Sequence, residues 1–188
     1  AAAAAERLVE QGANVLMSWG IAGGLSPSLK SGDLVVPKCV VSERHEWNVD
    51  RSWRDRLSNA LAVCGVVTGG NLWCSRMPIL SIPEKQALAA RGMIATDMES
   101  AAVAAIAASA RVPFVAVKAI CDISHHALPA MAPALLDAQG RVRPRGLIEV
   151  LRAGPRTWLQ LNAVRGDFAV ARAALRSAAQ VVPIRVRA

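Results

Sequence analysis

The sequence predicts an α/β domain with a mostly parallel or mixed central sheet flanked by helices, and three observations carry that prediction. Short apolar runs alternate with stretches of helical periodicity over the first two thirds of the chain. The run Val112 to Ile120 is nearly all apolar, as a central strand covered on both faces should be. At 188 residues and 53% hydrophobic, the chain can bury one sizeable core but is too short for several.

The elements follow in order. Ala1 to Gln11 is helix-forming, and Gly12 is placed to end it, because glycine accepts the left-handed conformation of a helix stop. Asn14 to Trp19 reads as a buried strand opening into the small-residue loop Gly20-Ile21-Ala22-Gly23-Gly24, where backbone can approach a ligand closely. Lys30 to Asp33 supplies a turn and Leu34 to Val41 a second strand. Helical spacing of Trp53, Leu57, Ala60 and Leu61 predicts a helix over Arg51 to Cys64, and Gly65 to Trp73 reads as a strand with a glycine-bearing kink. A helix over Pro83 to Ala90, a short strand over Met93 to Thr96 and an alanine-rich helix over Met98 to Ala110 precede the central strand. Pro129, Pro133 and Gly140 mark a loop, and two or more helices are expected over Gly146 to Val181. The organisation predicted is thus an α/β domain over residues 1–140 and an Arg-rich helical segment over 141–188.

Charge is distributed unevenly. Lys/Arg and Asp/Glu balance at 12 each over residues 1–140, while residues 141–188 hold ten Arg against Glu149 and Asp167, so the whole net charge of +8 sits there. Such a segment can meet an anionic membrane surface, nucleic acid or nothing in particular. Aromatic interleaving and a recognisable nucleic-acid module are missing, so no nucleic-acid partner is expected. No apolar run reaches the roughly 18 residues of a membrane span. Glu6, Arg7 and Glu10 interrupt the alanine-rich start, which speaks against an export signal. Cys39, Cys64, Cys74 and Cys121 form no CxxC pair and read as reduced cytoplasmic thiols. Opening on Ala inside a helix, the chain is expected to lack a natural N-terminal segment.

Ligands in open α/β sheets bind outside the carboxyl ends of the strands. Gly20 to Gly24, Gly69 to Trp73, Asp97-Met98-Glu99 and Cys121-Asp122 all lie at predicted strand ends, so four pieces can converge on one pocket. Asp122 ends an apolar strand, which is costly unless the carboxyl is solvated, paired or protonated. It suits either a cap or an acid that protonates a leaving group. Asp97 and Glu99 suit either a helix N-terminus or the double acceptance of two ribose hydroxyls, with Met98 as a soft floor. The glycine loop fits neither a P-loop nor the dinucleotide fingerprint. Trp73 suits packing or base stacking. Asp122, His125 and His126 lie within five residues, but adjacent histidines cannot both point into one site, so no metal is expected; nor is any cofactor.

Taken as an ordered series, Gly20-Ile21-Ala22-Gly23-Gly24-Leu25 with Gly32-Asp33-Leu34-Val35-Val36, then Asp97-Met98-Glu99-Ser100-Ala101-Ala102, then Ile120-Cys121-Asp122, resembles the purine nucleoside phosphorylase and methylthioadenosine nucleosidase superfamily. The tail through Leu136-Asp137-Ala138-Gln139-Gly140-Arg141 is similar to the branch called hopanoid-associated phosphorylases. The family's first strand and adjoining loops are not found. The resemblance implies cleavage of a purine N-glycosidic bond. Asp122 would donate a proton to N7, Glu99 would bind the ribose hydroxyls and Met98 would lie under the sugar. Ala22 and Gly23 would line the pocket, and Leu72 and Trp73 would stand near the base. It further implies a nucleoside substrate such as an adenosyl hopanoid, phosphate or water as co-substrate, and a homo-oligomer. A peripheral contact of the Arg-rich segment with the inner membrane and a catalytically inactive nucleoside-binding relative are the further expectations. Ile21 stands where many relatives carry a hydroxyl, Cys121 where Ser is common, and Lys118 where Arg is common. An isoleucine offers phosphate no donor, which favours water as the nucleophile.

Overall fold

The computed structural model describes residues 1–125 and 155–182. Helix α1 (Ala2–Glu10) stops before Gly12, whose φ of +85° is the left-handed stop expected of it. Strand β1 (Leu16–Gly24) then runs straight through the glycine segment, so the predicted loop is the second half of a strand. Its small residues let neighbouring strands and their side chains close over it. The predicted strand over residues 34–41 divides into β2 (Leu34–Val36) and β3 (Cys39–Val41). Pro37, which has no N–H for a ladder, sits at the break. Strand β4 (Glu46–Asn48) and helix α2 (Arg51–Ala60) follow, the helix capped by Asp50 accepting from Trp53 N at 2.9 Å.

The kinked run divides likewise, into β5 (Val66–Thr68) and β6 (Asn71–Cys74), at Gly69 and Gly70 with φ of +98° and +65°. Lys38 N donates to Gly70 O at 2.9 Å and Gly69 N to Val36 O at 3.1 Å, so the two broken runs bend together. Helix α3 (Ile82–Ala90) leads to β7 (Met93–Asp97), helix α4 (Ser100–Ala110) and the central β8 (Phe114–Asp122). Of the span where two or more helices are expected, α5 is an unbroken helix over Pro155–Val181, and residues 146–154 lie outside those described.

The eight strands form one mixed sheet in the order β4-β3-β6-β7-β1-β8-β2-β5. The pairs β1–β8, β2–β5, β3–β6 and β6–β7 are parallel, and β1–β7, β2–β8 and β3–β4 antiparallel. All nine residues of β8 are buried, as the apolar run predicts. Val115, Ala116, Val117, Ala119 and Ile120 form the centre of the core with Leu34, Val35, Val40 and Leu72. Each such valine or leucine contributes about 1.5–3 kcal/mol on leaving water.

Helix α4 packs on β1 and β8, and α5 packs on β8. Ala171, Ala178 and Val182, spaced along one face of α5 and just beyond it, belong to the same core as the strands. Among the described residues no helix is long and apolar enough to cross a membrane.

Candidate functional site

The carboxyl ends of four strands meet in register. Trp73 of β6 pairs with Thr96 of β7, Thr96 with Gly23 of β1, and Gly23 with Asp122 of β8, giving one row across four strands. Side chains in such a row share a face of the sheet. The Asp122 position depends on an irregularity. Ala22 pairs with Ile120 but Gly23 pairs with Asp122, so Cys121 is an extra residue bulged out of the ladder. Without the bulge Asp122 would share the face of Lys118 and Ile120; with it, Asp122 turns to the face of Gly23 and Thr96. Gly23 makes room for it. A Cβ there would lie 3.6 Å from Asp122 Oδ2 and 3.3 Å from Thr96 Cγ2.

Asp122 is 5% exposed, and its Oδ2 accepts from Lys85 Nζ at 2.5 Å. Lys85 is fully buried and also donates to Ile123 O at 3.0 Å. It comes from α3, whose start is capped by Ser81: its Oγ accepts from Glu84 N at 3.3 Å and donates to Glu84 Oε2 at 3.0 Å. The sequence motifs do not single out Lys85. The available signal is its spacing of three from Leu88, which places it on the inward face of α3.

A second buried ion pair occupies the opposite face. Lys118 Nζ lies 2.8 Å from Asp97 Oδ2, and both residues are buried. Asp97 also accepts from Ser100 N at 3.1 Å and Ser100 Oγ at 2.5 Å, and Ser100 Oγ lies 2.9 Å from Ser18 Oγ. Asp97 thereby holds the first turn of α4, where orphan N–H groups need acceptors. Met98 and Glu99 project between the strand and that helix, with Met98 50% exposed and Glu99 exposed.

The sequence-derived candidates fall on both faces. Ala22 is buried and pairs with Ile120, on the Lys118 face. Leu72 is fully buried in the main core, whereas Trp73 packs with Leu25, Leu88 and Met93 on the Asp122 face. The Arg91 guanidinium lies 5.1 Å from the Trp73 ring. Trp73, Ser75, Met77, Ile79, Glu84 and Leu88 line a cavity of about 380 Å³ at the carboxyl end of β6. Asp122 and Glu99 are not among its lining residues. The Gly69–Gly70 kink stands at the other end of β6, where a Cβ on Gly70 would come within 2.4 Å of Ile94 Cγ2; its role is to let β7 approach.

No three metal-ligating side chains gather among the described residues, and His126 lies outside them. Thr96 Oγ1 is the one buried side-chain polar atom among the described residues without a hydrogen-bond partner. Burial pushes the thiols of Cys39, Cys74 and Cys121 up to about 12, aided by Glu46 at Cys39, by the Asp97 charge at Cys74 and by the Asp122 charge at Cys121. Such thiols are protonated and inert at neutral pH.

The family model described as the phosphorylase superfamily matches residues 1–141. Among solved structures, the chain is similar to a 5'-methylthioadenosine/S-adenosyl homocysteine nucleosidase of Campylobacter jejuni, at 20% identity and a TM-score of 0.60, covering 66% of this chain and 63% of that one. A futalosine hydrolase of Helicobacter pylori matches at 19% identity and 0.57, covering 63% and 64%. A P knowlesi homolog of P falciparum PNP matches at 18% and 0.57, covering 93% and 68%. The chain thus spans under two thirds of the length of the first two, and the likeness is one of fold. No curated protein matches the sequence.

Proposed function

Because this chain belongs to the phosphorylase superfamily, we propose that it cleaves the N-glycosidic bond of a purine nucleoside, with Asp122 as the acid that protonates the departing base. The observation that carries the proposal is the bulge at Cys121, which turns a buried carboxyl onto the face shared by Gly23, Thr96 and Trp73 where four strand ends converge. Bulges that re-aim a side chain are concentrated beside active sites.

The chemistry follows from the groups present. Asp122, paired with Lys85 in the free enzyme, takes a proton from solvent; the C1′–N9 bond breaks, its electron pair passes to the base, and the protonated carboxyl gives that proton to N7. The ribose becomes cationic in character, and the Glu99 carboxylate, accepting from the ribose hydroxyls, stabilises that charge. Half-exposed Met98 forms the floor beneath the sugar, and Trp73 flanks the base. Water adds at C1′ and releases a proton to solvent, which offsets the one Asp122 took up. Ile21 carries no donor for phosphate, and the Lys118 ammonium is already held by Asp97 at 2.8 Å, so neither supplies the charge-assisted contacts a phosphate nucleophile needs.

The substrate proposed is a 5'-substituted adenosine such as an adenosyl hopanoid, taken by a homo-oligomer whose Arg-rich segment over 141–188 rests on an anionic membrane. Flotation with anionic vesicles at low salt checks the membrane contact; no binding would remove it from the proposal. The reaction itself is tested by measuring adenine and sugar release from adenosine, methylthioadenosine and bulkier 5'-substituted adenosines, with and without phosphate. Free ribose derivative at equal rates in both buffers is expected. A sugar 1-phosphate formed only with phosphate would replace hydrolysis by phosphorolysis, and nucleoside binding without base release would mark an inactive relative.

A further inference from the structure

Lys85 is the most deeply buried charge on the Asp122 face, fully enclosed, 37 residues from Asp122 in sequence and in contact with both Asp122 Oδ2 and the Ile123 carbonyl. A buried ammonium is a costly way to pack a helix on a sheet, and an apolar side chain of the same length would serve packing better. Its two contacts fall on consecutive residues just past the bulge, the stretch whose conformation decides where the Asp122 carboxyl points. Ser81 caps the first turn of α3 immediately before Lys85, so the ammonium is presented from an ordered helix start.

We propose that Lys85 is the positioning residue for Asp122, holding its carboxyl in place and meeting the negative charge left on it when the proton passes to the base, a role that rests on Asp122 being the acid. Asp122, ionised against Lys85 in the free enzyme, first takes a proton from solvent on Oδ1 while Oδ2 stays on the ammonium. When the C1′–N9 electron pair moves to the base and that proton to N7, the carboxylate returns in a buried site. Lys85 Nζ, 2.5 Å from Oδ2, supplies the compensating charge with no reorganisation. Lys85 Nζ is taken up by Asp122 Oδ2 and the Ile123 carbonyl, so its loss is expected to act on the proton-transfer step and to spare substrate binding.

A double-mutant cycle tests this, with kcat and KM measured per folded molecule for wild type, Lys85→Met, Asp122→Asn and the double variant on the best adenosine substrate. Lys85→Met is expected to lower kcat by about tenfold or more with KM changed less than about threefold, and the double variant to be no slower than Asp122→Asn alone. A Lys85→Met enzyme with wild-type kcat, or a loss of equal size in the Asp122→Asn background, overturns the proposal while leaving Asp122 as the acid. Wild-type turnover in Asp122→Asn, or no base release by the wild type, overturns the reading of Asp122 and this role with it. Should Lys85→Met not fold, Lys85→Ala is assayed with ethylamine: saturable recovery of kcat by the amine but not by ethanol is expected, and no recovery overturns the proposal.

Discussion

The two faces of the sheet at the ends of β1, β7 and β8 carry the same kind of group to different ends. On one face Asp97 meets Lys118, Ser100 and through it Ser18, a network enclosed between sheet and α4. On the other, Asp122 meets Lys85 from α3, next to Gly23 and to Thr96, whose hydroxyl has no partner among the described residues. Both pairs are buried, so burial and pairing alone do not distinguish a structural carboxylate from a chemical one. Surroundings do. Asp97 accepts from a backbone N–H and a hydroxyl that build the helix beside it, whereas Asp122 reaches its place through a ladder irregularity that turns it away from the face of Lys118.

The largest effect is expected at Asp97. Asp97→Asn leaves the Lys118 ammonium buried without its counter-charge, and a loss of about 3–5 kcal/mol in chemical denaturation is expected. A loss below about 1 kcal/mol would show that the network is not structural. Gly70→Ala is expected to cost about 1–3 kcal/mol from backbone strain at φ +65°, before counting the collision with Ile94. Gly23→Ala sharpens the contrast. The methyl group enters the space beside Asp122 without backbone strain, so turnover should fall by about tenfold, with a stability change of about 1 kcal/mol. Equal kcat in Gly23→Ala and wild type would show that this space is not used.

The smallest expected effect lies in the thiols. Cys39, Cys74 and Cys121 hold their protons to about pH 12 when folded, against an ordinary value of 9.0. The folded state therefore binds more protons between those values, and the stability they contribute is complete below pH 9 and lost as pH rises towards 12. Iodoacetamide at pH 8 should leave these three unmodified in the folded protein, and mass spectrometry of the labelled peptides checks it.

Much of the fold was legible because it follows from local chemistry. The left-handed stop at Gly12, the helix after Ser81 and the apolar run of β8 needed no knowledge of partners. The meeting of the ends of β1 and β7 depends on their antiparallel pairing at Gly23 and Thr96, which alternation of strands and helices does not predict. What escaped depends on partners distant in sequence. The glycine segment is strand because Thr96 and Asp122 flank it, and residues 34–41 split because Pro37 and the Gly69–Gly70 bend fall side by side. The bulge at Cys121 is invisible without the register against β1. Lys85 sits in an ordinary helical stretch, and its importance appears only when α3 is laid against the end of β8.

Turnover of Asp122→Asn, measured per folded molecule beside Asp97→Asn on the same adenosine substrate, separates the chemical carboxyl from the structural one. Asparagine keeps the shape of Asp122 and can still accept from Lys85, but it has no carboxyl proton to give. Base release by Asp122→Asn is expected to fall by about a hundredfold or more. Folded Asp97→Asn is expected to retain turnover within about tenfold of the wild type. Wild-type turnover in Asp122→Asn, or a greater loss in folded Asp97→Asn than in Asp122→Asn, would contradict the assignment of chemistry to one face and structure to the other.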